Sequence, residues 1–133
     1  MKKFYSCVDI LIPSPLSEQH LIIKKKSEKE GGLITAYASE EYRTVKSQSW
    51  ISFKLKETPG LDGVIFFTAL QFSYNEKFNI KLFNKLIDNN YEVHFAREDL
   101  SFAKDKINND SLDFLITNSM IFKRDEKELL DFI

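Results

Sequence analysis

The stretch Gly63 to Leu70 reads GVIFFTAL, and Thr68 is its one polar side chain. In a strand, successive side chains point to opposite faces. A strand apolar on both faces must be covered on both. Sheets buried in that way are the parallel sheets of α/β proteins, with helices above and below. The rest of the chain should therefore supply parallel neighbours for this strand and helices to cover them.

Such elements can be read along the chain. Phe4–Ile12 is a mostly apolar first strand, bounded by Pro13 and Pro15. Ser14-Pro15 predicts a helix start, because serine can cap free N–H groups and proline suits the first helical position. That helix should run to about Glu30 and close at Gly31-Gly32. Leu33–Ala38 is a second strand, followed by the polar cluster Ser39–Arg43. A helix is expected over about Ser47–Lys56, and then the strand Gly63–Leu70. Phe78, Leu82, Phe83, Leu86 and Ile87 fall at helical spacing. Tyr91–Ala96 is a fourth strand. Ile107, Leu112, Leu115 and Ile116 mark a further helical region, and DEKELLDFI a last one. The β-α alternation implies right-handed crossovers. The expectation is one domain, residues 1–133: a three-layer α-β-α sandwich on a four-stranded parallel sheet of order 2-1-3-4, resolvase-like or flavodoxin-like.

Composition limits the functional classes. With 43% hydrophobic and 29% charged residues, the chain is globular rather than disordered. Its formal charge of −1 gives no general pull toward nucleic acid or an anionic membrane. The run Lys24–Lys26 reads as a solvated helix face. The single cysteine, Cys7, permits no intrachain disulfide and reads as a small buried residue. No apolar run reaches the roughly 20 residues that span a bilayer. No signal-peptide pattern opens the chain, and a cytoplasmic location is expected.

In a parallel sheet, ligands bind beyond the carboxyl ends of the strands. Four strand ends should gather Ser14 and Gln19, then Glu40, Glu41, Tyr42 and Arg43, then Thr68 and Gln71, and finally His94, Arg97, Glu98 and Asp99. This set holds acid–base groups, a cation for an anionic substrate and hydroxyl-bonding groups. Each also has a plain structural use. His94 can be a buried, partnered histidine, Ser14 a helix cap, and Glu98 or Asp99 the cap of a following helix. No phosphate-binding glycine loop, nucleophile elbow or metal-ligand spacing is present. Neither a cofactor nor a metal is expected.

Several segments resemble the sporadic carbohydrate cluster proteins of bacterial surface-polysaccharide gene clusters. They are PLSEQHLIIKKKSE, with Pro15 and Gln19; ASEEY, with Glu41-Tyr42; DGVIFFTALQF; and VHFAREDL, a His-Phe-Ala-x-Glu motif that places His94 and Glu98. The layout is similar, more distantly, to the catalytic domain of serine recombinases. The chain lacks that domain's basic residue near the end of strand one, and its only arginines are Arg43, Arg97 and Arg124.

The resemblance implies a protein of capsule or lipopolysaccharide biosynthesis, acting on a sugar, sugar phosphate or nucleotide sugar by cofactor-free acid–base chemistry such as isomerisation or epimerisation. His94, Glu98 and Glu41 would carry the proton transfers. Ser14, Gln19, Tyr42, Thr68 and Arg97 would bind substrate. The alternative is a non-catalytic, resolvase-like subunit of a glycan-assembly complex. The apolar groups Trp50, Phe53, Leu55, Phe132 and Ile133 suggest a homodimer.

Overall fold

The computed structural model describes residues 1–38, 48–74 and 77–121. In chain order it contains β1 (Lys2–Cys7), α1 (Leu16–Lys29), β2 (Gly32–Tyr37), α2 (Gln48–Glu57) and β3 (Gly63–Phe66). A 3-10 turn (Ala69–Phe72) and a small hairpin of β4 (Ser73–Tyr74) and β5 (Lys77–Phe78) follow. Then come α3 (Ile80–Asp88), β6 (Glu92–Phe95), β7 (Leu100–Phe102) and α4 (Asn109–Ile121).

The main sheet has five strands in the order β2-β1-β3-β6-β7. Pairings among β2, β1, β3 and β6 are parallel, and β7 runs antiparallel to β6. The α/β class with a mostly parallel sheet is as expected, but the four-stranded, wholly parallel sheet of order 2-1-3-4 is not. The cause lies after β6. Asp99 takes a φ of 56°, and its N–H donates to the Ala96 carbonyl at 3.2 Å. Aspartate is among the few residues besides glycine that tolerate the left-handed region. The chain therefore doubles back into β7 instead of entering a helix at Glu98-Asp99.

Helices pack on both faces. On one, Ile23 of α1 joins Phe4, Val8, Ile12, Ile65 and Phe67. On the other, Phe66, Phe72, Phe95 and Phe102 pack with Ile51 and Leu55 of α2, Leu82 and Phe83 of α3, and Leu115 of α4. Phe72 lies edge-on to Phe66 at 4.7 Å and to Phe95 at 5.4 Å. Every residue of β3 is buried, as its unbroken apolarity requires.

Several boundaries differ from the sequence reading. β1 ends at Cys7, not Ile12, because Gln19 grips the chain beyond it. The Asp9 N–H donates to Gln19 Oε1 at 2.9 Å, and Gln19 Nε2 donates to the Asp9 and Ser14 carbonyls. α1 has no side-chain cap; Pro15 takes that position, and Ser14 Oγ donates weakly to Glu18 at 3.4 Å. β3 stops at Phe66 because Thr68 and Gln71 form a capping box on the 3-10 turn. Cys7 is buried as expected, and burial pushes its thiol well above 9.0. Lys24 and Lys25 are exposed, but the Lys26 side chain is only 3% exposed. No helix among the described residues is long and apolar enough to cross a membrane.

Candidate functional site

At the carboxyl ends of the strands, the expected site residues are bound into the scaffold. Glu98 accepts from Thr68 Oγ1 at 2.7 Å and from the Ala69 N–H at 3.1 Å, capping the 3-10 turn. Arg97 lies 3.8 Å from the same carboxylate. Gln71 Nε2 donates to the Cys7 carbonyl at 3.2 Å. Gln19 holds the Asp9 loop, and Ser14 contacts Glu18. Glu41 and Tyr42, with Glu40 and Arg43, lie outside the described residues.

His94 belongs to a different cluster. Period-two alternation puts Glu92 and His94 on one face of β6, the face that α1 covers. His94 Nε2 is 2.9 Å from Glu92 Oε1, and Nδ1 is 2.9 Å from Ser101 Oγ. Ser101 stands opposite His94 in the β6–β7 ladder, so the unexpected fifth strand supplies this partner. The Phe4 ring meets the imidazole edge-on at 5.0 Å.

The cluster extends onto α1. Lys26 Nζ donates to Glu30 Oε1 at 2.7 Å, to Asp99 Oδ1 at 2.8 Å and to Ser101 Oγ at 2.8 Å. Lys29 also pairs with Asp99. Lys2 pairs with Glu92 at 2.8 Å. A crevice of about 250 Å³ is lined by Lys2, Glu30, Glu92, His94 and Ser101, together with Asp105 and Lys106. It lies near the strands' amino ends, beside β7, and not at the carboxyl ends.

The hydrogen-bond inventory fixes how protons can be arranged. A carboxylate only accepts, so neutral His94 carries its proton on Nε2, facing Glu92. Nδ1 then accepts from the Ser101 hydroxyl. That hydroxyl also lies 2.9 Å from Glu30 Oε1, and it has one proton to give. If His94 gains a second proton, Nδ1 becomes the donor and the Ser101 hydroxyl turns to Glu30. The four groups Glu92, His94, Ser101 and Glu30 thus form a continuous proton path.

Burial pushes the imidazole below its ordinary 6.5, against the hydrogen bond to Glu92, which raises it. The neutral form therefore prevails at pH 7. For Glu30, burial acts upward, but the bonds from Lys26 and Ser101 prevail and its pKa is lowered. Lys26 and Lys29 together hold Asp99 down at about 2.

The geometry joins a buried base, backed by a carboxylate, to an exposed hydroxyl in a crevice. Such a set can move a proton between a ligand and His94 through Ser101. His94 itself is only 2% exposed in the crevice wall, where its Nδ1 meets that hydroxyl. The sequence reading found His94 but not Glu92, Ser101, Glu30 or Lys26. The Glu92–His94 spacing of two along a strand was the available signal for the first of these. Among the described residues, no group of three or more His, Cys, Asp or Glu side chains is placed to hold a metal ion.

The fold and the crevice define an α/β protein with a mostly parallel five-stranded sheet and a buried histidine beside its antiparallel edge. No protein-family model, curated protein or solved structure matches the chain.

Proposed function

We propose that the protein is a small acid–base enzyme of bacterial surface-polysaccharide biosynthesis, with Ser101 and His94 as its proton-handling pair. The substrate class, a sugar, sugar phosphate or nucleotide sugar, comes from the family resemblance of the sequence. The observation that carries the chemistry is the Ser101 hydroxyl, 2.9 Å from both His94 Nδ1 and Glu30 Oε1 in an open crevice. A substrate hydroxyl gives its proton to Ser101 Oγ while the Ser101 proton passes to Nδ1. Glu92 stabilises the resulting imidazolium, and reversal returns the proton. Opening and closing a sugar ring, or a related isomerisation, draws on this kind of transfer. Glu98, bound to the 3-10 turn, has a scaffold role in this reading.

A thermal-shift screen over sugar phosphates and nucleotide sugars tests it. The melting temperature should rise with at least one compound, and Ser101→Ala should remove that rise. A flat response across the panel overturns the proposal.

One observation favours a second reading, a non-catalytic subunit. Lys26 is almost wholly buried and joins Glu30, Asp99 and Ser101, so the cluster also fastens α1 to the β6–β7 turn. A wild-type protein that binds nothing on the panel, while Ser101→Ala melts lower, would favour this fastener. The homodimer belongs to either reading. Phe53, 57% exposed on α2, supports it; Leu55 is buried, and Phe132 and Ile133 lie outside the described residues. A monomer mass by light scattering at tens of micromolar would remove the dimer.

A further inference from the structure

A second cavity, of about 420 Å³, lies on the other flank of α1, against β1 and β2. Its lining combines His20, Leu21 and Lys24 of α1 with Ser6, Ile34, Tyr37 and Ala38. None of these residues belongs to the His94 crevice. The volume falls within the range of small-molecule sites, roughly 300–1,000 Å³.

Ser6 makes the cavity unusual. Its residue is 1% exposed, and among the described residues its Oγ has no hydrogen-bond partner. A buried hydroxyl left unpaired keeps its desolvation penalty with nothing to offset it. Its neighbour on the same face of β1, Phe4, is packed into the core with Ile23 of α1. At Ser6 a short polar side chain takes the place of a core aromatic, and the residue lines the cavity.

The walls add two further features. The Tyr37 ring, 62% exposed, meets His20 edge-on at 5.8 Å. It stands on an edge strand and offers a broad aromatic face with little laid against it. Lys24 is exposed and, among the described residues, has no carboxylate partner. The cavity therefore presents a buried hydroxyl, an unpaired cation and an aromatic face, over an apolar floor.

We propose that this cavity is a second binding site, for a monosaccharide-sized hydroxylated anion such as a sugar phosphate. Each feature selects part of that chemistry. The negative face of an aromatic ring attracts the electropositive C–H face of a sugar ring. Ser6 hydrogen-bonds a sugar hydroxyl, and Lys24 pairs with the acid group. A purely apolar ligand would leave Ser6 unpaired. A neutral sugar would leave Lys24 unused, and inorganic phosphate would cover neither ring. The inference does not depend on His94 being catalytic.

Titrating methyl-labelled protein with glucose 1-phosphate, followed by NMR, tests it. The methyl signals of Leu21, Ile34 and Ala38 should move and saturate. Glucose and inorganic phosphate should each bind more weakly. Lys24→Gln, at an exposed position that spares the fold, should weaken binding about tenfold, and Ser6→Ala about fivefold, for the loss of one charge-assisted and one neutral hydrogen bond respectively. His94→Gln should leave these movements unchanged, which separates the cavity from the crevice. Still methyls at millimolar glucose 1-phosphate overturn the proposal. So does equal binding of inorganic phosphate, or undiminished binding by Ser6→Ala.

Discussion

The Ser101 hydroxyl lies 2.9 Å from His94 Nδ1 and 2.9 Å from Glu30 Oε1, with a single proton to share between them. Which acceptor it serves is set by the charge on His94. Burial favours the neutral ring, so the hydroxyl faces the histidine at neutral pH. NMR of the ring nitrogens should show the Nε2–H tautomer at pH 7.5 and a titration below 6.5. A His94 pKa at or above 6.5 would contradict the arrangement.

Stability should follow the same groups. The folded pKa of His94 is lowered, so the unfolded chain binds more protons as pH falls through about 6.5. Its contribution is complete above that pH and is lost as pH falls through the folded value. Glu30 and Asp99 are lowered too, from 4.5 and 3.8, the latter to about 2. Their contribution is complete above the ordinary carboxylate range and is lost in stronger acid. Urea denaturation should therefore show stability falling in two stages on acidification. A profile flat from pH 7 to pH 5 would sink the histidine stage.

Lys26 separates two costs of breaking one cluster. Its partners Glu30 and Asp99 are 25% and 48% exposed, so water can solvate them if the ammonium is lost. Lys26→Met should cost about 1 kcal/mol, the upper end for exposed pairs. Glu30→Gln with Asp99→Asn leaves the ammonium buried without a counter-charge, and should cost more, about 3 kcal/mol. Chemical denaturation of the two variants gives the order. The reverse order would mean that Lys26 is better solvated than its burial implies.

Glu98 was expected in sequence to be an acid–base group, and its contacts point to a scaffold role. It takes the Thr68 hydroxyl and the Ala69 N–H at the start of the 3-10 turn. Glu98→Ala should lower stability by about 1–2 kcal/mol, as loss of a helix cap does. Glu98→Gln keeps an accepting oxygen and should cost less than half of that. Any ligand response found for the wild type should survive Glu98→Gln. Its disappearance, with stability kept, would return Glu98 to the site.

The fold was legible where the pattern was local. Unbroken apolarity at Gly63–Phe66 announced a strand buried on both faces, and the 3.6-residue period announced α3. The fifth strand was not legible. Leu100–Phe102 is three residues long, and its existence depends on the left-handed turn at Asp99. With β7 went Ser101, and with Ser101 the histidine's second partner. The charges of Arg97, Glu98 and Asp99 looked like one site, yet they divide. Glu98 serves the turn after β3, and Asp99 serves α1. The run Lys24–Lys26 looked uniformly solvated because composition does not show which turn of a helix faces the sheet. Three neighbouring lysines have different surroundings: Lys24 lines the second cavity, Lys25 faces solvent and Lys26 is buried.

Gly63 links the packing of the sheet to the state of His94. It pairs with Glu92 across the β3–β6 ladder, and a Cβ placed there would sit 2.5 Å from the Glu92 carbonyl oxygen and 2.8 Å from its Cβ. Both atoms are fixed to the backbone, so no side-chain rotation relieves the contact. In Gly63→Ala the start of β6 must therefore move, at about 1–3 kcal/mol for overpacking. Glu92 moves with it, and Glu92 is the group whose hydrogen bond supports the protonated form of His94. Losing that support should lower the His94 pKa further, although the alanine never touches the ring. Glu92→Gln should lower it in the same direction with a smaller loss of stability, because its backbone stays in place. Proton NMR titration of the histidine ring in the two variants, beside denaturation curves, measures both effects. An unchanged His94 titration in Gly63→Ala would show that the sheet absorbs the methyl group without disturbing Glu92.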